Sequence, residues 1–167
     1  MMSDLRTGTS AAVSRPGSRS KLLWAGSTVF DLVLDGSQTG GSVALLDQWG
    51  RDGDTTPLHI HHREAEIFYV LEGGITAWAG DDVHSLERGC AIYLPAGQVH
   101  AFGIHTPNAR VITVTAPATF ADFVRTAGIP VDGEVPATWE FDLTALMAAA
   151  PRHEIEIVGP PPPLPGR

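Results

Sequence analysis

Between His59 and Glu66 the chain reads HIHHREAE, which places three histidines and two glutamates within eight residues. Imidazoles beside carboxylates serve two kinds of chemistry, proton transfer near neutral pH and coordination of a divalent metal. His59 and His61 are separated by one residue, so on an extended strand both side chains leave the same face. Glu66 falls out of that parity, because the next odd positions are Arg63 and Ala65. It regains the histidine face only where the backbone turns or bulges between His62 and Ala65, and the polar stretch HREA suits such a break. Two histidines and a carboxylate on one face suit Fe(II) and, less selectively, Mn, Ni, Co, Cu or Zn. A fourth donor, His100 in LPAGQVHAF, lies in a separate apolar run, where a neighbouring strand of a small barrel would carry it.

Other polar and aromatic residues carry weaker expectations. His62 and Glu64 alternate away from the ligand face and are expected to be solvated or hydrogen-bonded locally. His84 and His105 have no acid at ligand spacing and read as ordinary histidines, and Cys90 reads as a small core residue. Phe68 shares parity with Glu66, and Phe102 with His100, so these rings either pack as core or line a pocket beside the donors.

The elements that must position these residues are short. TVFDLVL, SVALLDQW, EIFYVLE, ITAWA, AIYL, HAFGI and RVITVT are rich in Val, Ile, Thr and aromatics and are divided by Gly, Asp, Asn and Pro. Such runs read as strands, and tight turns between them favour an antiparallel sandwich or barrel. After Pro117 the period becomes helical, with a stop at Gly128-Ile129-Pro130. A second helix is expected in DLTALMAAA, then an added strand in EIEIV. The expected organisation is a flexible arm over 1–21, a β-domain over 22–116, a helical extension over 117–158 and a proline-rich, extended tail over 159–167.

Composition narrows the classes of function. The 167 residues, 43% hydrophobic and 18% charged, suit one domain with a sizeable core. A net charge of −8 and no basic stripe argue against nucleic acid as a partner. The single cysteine forms no intrachain disulfide, and no stretch reads as a signal peptide or a membrane span, so a cytoplasmic location without membrane contact is expected. TVFDLVL and SVALLDQW suggest a sheet edge that needs covering, which predicts a homodimer.

Two spaced motifs carry a family resemblance. Gly53, five residues, His59-Ile60-His61, four residues, Glu66, six residues and Gly73 match the first signature of the cupins. Gly89, five residues, Pro95-Ala96-Gly97, two residues and His100 match the second. With the flanking strands, the resemblance covers roughly 42–116. It implies an all-β fold, an antiparallel jelly-roll β-barrel here followed by short C-terminal helices. It also implies one divalent transition metal ion (Fe, Ni, Mn, Co, Cu or Zn) held by His59, His61, Glu66 and His100. The sequence departs from the family where the second signature continues with Asn after three further residues; here Ile104 stands. Ile104 shares parity with Phe102 and His100, so Phe68, Phe102 and Ile104 are the expected lining of an apolar substrate pocket.

The segment TFADFVRTAGIPV, together with the second helical stretch and HEIEIVGPPP beyond it, resembles the C-terminal region of single-domain cupins related to quercetin 2,3-dioxygenase. The resemblance implies a metal-dependent dioxygenase acting on an aromatic or polyphenolic small molecule, with Glu66 as ligand or as catalytic base for the substrate proton. Two alternatives stand beside it. One is a non-oxidative metal-dependent lyase, isomerase or polyketide cyclase; the other is a small-molecule-binding cupin without catalysis.

Overall fold

In AEIFYVLE the side chains of Glu66, Phe68 and Val70 are buried while Ile67 and Tyr69 are exposed, the two-residue alternation of a strand with one face on a core. The same pattern recurs along the chain. In the computed structural model, which describes residues 10–166, the elements run β1 (Ser20–Leu23), β2 (Val29–Leu34), the short helix α1 (Gly36–Thr39), β3 (Ala44–Arg51) and β4 (Leu58–His61). They continue with β5 (Ala65–Glu72), β6 (Gly74–Ala79), β7 (Asp82–Glu87), β8 (Ala91–Leu94), β9 (His100–Ile104) and β10 (Asn108–Ala116). The C-terminal part holds α2 (Thr119–Ala127), β11 (Ile129–Val131), α3 (Leu143–Ala149), a 3-10 turn over Ala150–His153 and β12 (Ile155–Gly159).

Two antiparallel sheets make the jelly-roll barrel. One has seven strands in the order β11-β1-β2-β3-β10-β5-β8, the other five in the order β12-β4-β9-β6-β7. Their inner faces bury two apolar clusters. Leu22, Phe30, Leu46 and Phe123 belong to the first, which the C-terminal helices close, and Phe68, Val70, Ile75 and Phe102 belong to the second. No helix among the described residues is long and apolar enough to cross a membrane.

The strand runs read from the sequence appear as strands, and the differences have physical causes. β7 pairs with β6 along its whole length, but most of its side chains are exposed, so it carries no apolar alternation to read. β1 and β11 cover the edge of β2, through the pairs Leu22↔Phe30 and Leu22↔Pro130. Thus the edge that the sequence leaves open is covered by this same chain. Pro130 is tolerated because β11 is itself an edge strand. Cys90 is half-buried just before β8 rather than a core residue.

The sheets also draw strands from outside 22–116. Residues 1–9 of the expected arm lie outside the described residues, while Ser20 and Lys21 already belong to β1. β12, the added strand, pairs with β4 in the register Ile155↔His61 and Ile157↔His59. The proline-rich tail beyond it lies against the barrel: Leu164 is only 7% exposed, and a Cβ at Gly103 would meet its side chain.

Candidate metal centre

β4 carries His59 and His61, β5 carries Glu66 and β9 carries His100, with His59 directly opposite His100. The backbone leaves strand geometry at 62–64, the break that lets Glu66 turn inward. The loop bearing Pro95-Ala96-Gly97 docks on the first motif, since the Gly97 N–H donates to the His61 carbonyl at 2.8 Å. Gly97 does so at φ +83, and Gly73 ends the first motif at φ +69 with the Asn108 carbonyl where a Cβ would sit. One ligand atom from each of His59, His61, Glu66 and His100 lies within 4.8 Å of the others.

Each imidazole is anchored through Nδ1. His59 donates to the Pro57 carbonyl at 2.8 Å, His100 donates to the Gln98 carbonyl at 2.9 Å, and His61 faces Glu64 Oε2 at 3.4 Å. These anchors fix the rings and turn each Nε2 to the centre, the arrangement that metal-binding histidines need. The fit to a cation is visible in His61 Nε2, a buried nitrogen with no hydrogen-bond partner. Glu66 Oε2 stands 2.9 Å from His100 Nε2 and 3.8 Å from His61 Nε2, so a proton or a cation must lie among them. Three nitrogens and one carboxylate suit several first-row divalent ions without selecting one.

The electrostatics prepare the donors. Burial, then the charges of His100 and His61, hold His59 down at about 3, so its imidazole is neutral near pH 7. His59 is half-buried and lines a cavity. Burial alone raises Glu66, but the charge of His61, the His100 hydrogen bond and the charges of His100 and His59 outweigh it and bring the carboxyl to about 2. For His61, burial is outweighed by the carboxylates of Glu66 and Glu64, and its value rises.

Glu64 keeps the expected local hydrogen bond but is turned inward rather than solvated. It is locally bonded to His61, yet it is 3% exposed, and its other oxygen accepts a 2.6 Å hydrogen bond from the Phe120 N–H. That N–H is in the first turn of α2, whose N-cap Ala118 supplies no side-chain acceptor. Glu64 therefore satisfies a helix terminus and orients a ligand ring at once. Phe120 also packs its ring on His61, with centroids 5.2 Å apart. His62, in contrast, is exposed and bonds Glu156 at 2.8 Å, and His105 bonds Thr76 and Glu87.

The donor cluster opens on a cavity of about 740 Å³. Its walls include Trp24, Phe68, Phe102, Phe120 and Phe123, and no Lys or Arg lines it among the described residues. Phe68 and Phe102 meet at a centroid distance of 5.3 Å. Ile104 is buried in the core cluster with them but does not line the cavity; its Cδ1 lies against Gly50.

Comparison with known proteins agrees with this geometry. A family model described as a cupin domain matches residues 51–115. Quercetin 2,3-dioxygenase of Bacillus subtilis is 28% identical over 145 residues, 84% of this chain. The chain spans 43% of that relative's length. Among solved structures, a Thermotoga maritima protein described as a predicted oxalate decarboxylase superposes with TM-score 0.59 at 16% identity, covering 64% of this chain and 99% of its own. KdgF from Halomonas sp. gives 0.57 at 17% identity, covering 64% and 94%. At those identities the likeness is one of fold. In its two spaced motifs, its jelly-roll sheets and the match of residues 51–115 to the cupin domain, this chain resembles the cupins, and over most of its length it is similar to quercetin 2,3-dioxygenase.

Proposed function

We propose that the chain is a metal-dependent dioxygenase of the quercetinase-like type, acting on an aromatic or polyphenolic small molecule. The observation that carries the reading is a three-histidine, one-carboxylate cluster facing a large cavity with aromatic walls and, among the described residues, no cationic side chain. A small dianion would find nothing there to neutralise it beyond the metal, whereas a flat ring system finds apolar walls on several sides.

His59, His61 and His100 would hold the ion through Nε2, with Glu66 as the fourth donor. When bound, a divalent transition metal supplies a Lewis-acid position for an ionised phenolic oxygen and for O2. Phe68, Phe102 and Phe120 hold the ring and exclude water. Glu66 takes the hydroxyl proton on a carboxylate oxygen. Its low value comes from neighbouring imidazolium charge and the His100 hydrogen bond, so a carboxylate swung away from them keeps only burial, which raises its basicity.

Anaerobic incubation with a flavonol and Fe, Ni, Co or Mn, followed by admission of air, tests this reading. O2 uptake is expected with at least one metal, and none with any metal or phenolic substrate would sink it. Turnover that persists without O2 selects the lyase, isomerase or cyclase alternative. Tight binding without product selects the binding cupin.

A homodimer is proposed as well. Its support is the outer face of β5 and β8, where Ile67, Tyr69 and Tyr93 are 40%, 42% and 62% exposed beside an edge strand. A cytoplasmic location accords with the single, unbridged Cys90.

A further inference from the structure

α3 reads LTALMAA, and Leu143, Leu146 and Met147 recur at the three- and four-residue spacing that puts side chains on one helix face. Such a stripe is ordinarily buried. Leu146 follows the rule, packed with Ala149 in the first apolar cluster, whereas Leu143 and Met147 are 60% and 50% exposed. Both nevertheless line the cavity on which the donor cluster opens, and so does Val158 of β12, 44% exposed. Deeper walls such as Phe68 and Phe123 are buried. Large side chains that line the cavity and are also about half open to solvent mark its mouth, and no other exposed large hydrophobic residue among the described residues lines it.

The three residues stand together, beside the candidate donors. Leu143 and Met147 are one helical turn apart. Met147 also lines a smaller cleft with Ile155, Glu156 and Ile157, which sets it against β12. Ile155 and Ile157 pair with His61 and His59, and Val158 follows at the point where the register of β12 on β4 slips. The mouth is held in place by its own contacts. Asp142 caps α3 by accepting from the Ala145 N–H at 2.9 Å, the Trp139 indole N–H donates to the Trp24 carbonyl at 2.6 Å, and Phe141 packs on Trp24 with ring centroids 5.3 Å apart. Leu, Met and Val offer no strong donor or acceptor, and Gly159, Pro160 and Pro161, which continue the lining, add no polar side chain. The Met147 thioether also makes favourable contact with aromatic rings. A cavity of this volume encloses most, but not all, of a drug-sized ligand, so the uncovered end of one bound at the donor cluster lies at the mouth.

We propose that Leu143, Met147 and Val158 form an apolar outer subsite that grips the far end of a multi-ring ligand whose oxygenated head faces His59, His61, Glu66 and His100. The assignment rests on the reading of the cavity as an aromatic substrate pocket. It makes the length and apolarity of the ligand's outer part, rather than any polar group on it, the basis of selection at the mouth.

Titration calorimetry on the full chain loaded with zinc, which has no redox chemistry, tests the subsite with two probes. 3-Hydroxyflavone has apolar rings beyond its hydroxy-ketone head; maltol keeps a like head and lacks those rings. Leu143→Gln and Met147→Gln are each expected to weaken 3-hydroxyflavone roughly three- to tenfold while leaving maltol within about twofold. Val83→Gln changes a comparably exposed apolar residue, 54% open on β7 and outside the cavity, and should alter neither affinity. Oxidation by dilute hydrogen peroxide reads the contact directly. Met147 is expected to become the sulfoxide in the ligand-free chain and to be protected by saturating 3-hydroxyflavone but not by maltol. Equal loss for both probes, no loss for 3-hydroxyflavone, the same loss in Val83→Gln, or a Met147 that 3-hydroxyflavone leaves unprotected would each overturn the subsite. Protection of Met147 in the ligand-free chain that grows with protein concentration would assign the patch to a second copy of this chain and overturn it as well. Failure of the parent to bind 3-hydroxyflavone overturns the pocket reading itself, and the subsite with it.

Discussion

His61 has one carboxylate on each side, Glu64 on Nδ1 and Glu66 near Nε2, and these two acids do different work. Replacing Glu64 by Gln keeps an acceptor for the Phe120 N–H but removes the charge that favours the Nδ1–H form of the ring. The expected result is a roughly 10- to 100-fold loss of metal affinity with the fold retained, read by competition with a chromophoric chelator and by circular dichroism. Acid should act on the chelator-treated protein through His59. Its folded value of about 3 lies below the ordinary 6.5, so the unfolded chain binds the extra proton, and stability falls as pH drops from 6.5 towards 3. Glu66, also depressed, adds its loss between 4.5 and about 2. His61 is raised, so its contribution is fully present below 6.5 and is lost only as pH rises above it; it leaves the acid slope unchanged. Urea midpoints at pH 6.5 and pH 4.5 should differ less in His59→Leu than in the parent. The four candidate donors were legible in the sequence because a two-residue period pairs His59 with His61 and fixed motif spacings add Glu66 and His100. Glu64 was not, because its decisive partner, the N–H of Phe120, lies 56 positions away and exists only once α2 has docked.

At the scale of elements, the C-terminal extension is part of the barrel wall. β12 supplies the neighbour of the ligand strand β4, and Ile155 is buried among the residues that α2 and α3 close over. Ile155→Ala should cost about 2–4 kcal/mol in denaturant unfolding and should loosen metal binding, because the strand opposite His61 is no longer held down. A variant with unchanged stability and unchanged metal content would show that β12 merely rests on the edge. α2 is tied to the barrel a second time by Arg125, whose guanidinium pairs with Asp35. Burial acts to raise the Asp35 carboxyl, but hydrogen bonds from Ser37 and Arg125 lower it below its usual 3.8. The pair adds stability above that value, and the stability is lost as pH falls through the lowered one. The strands most visible in sequence were those with a buried face. β7 and β11 were not visible, since edge strands with exposed or proline-bearing residues leave no alternation to detect, and β1, an inner strand, is only four residues long and too short to show a period.

For the molecule as a whole, the dimer reading is checked by light scattering. A mass near twice 17.7 kDa is expected, and Tyr93→Glu on the exposed face is expected to shift it towards one chain without lowering the unfolding temperature. A monomeric mass for the parent at working concentration would remove the proposal. The sequence argued for pairing from an uncovered edge at β2. The structure supplies that cover from β1 and β11, so any interface must rest on another surface.

The pairing of β12 with β4 also bears on how the molecule is made. Ile155 lies far downstream of His61, so a growing chain that has already produced β4, β5 and β9 still lacks the segment that seals them. During synthesis the strands that carry all four candidate donors are complete before β12 is made, so the outer edge of β4 stays unpaired until that last strand emerges.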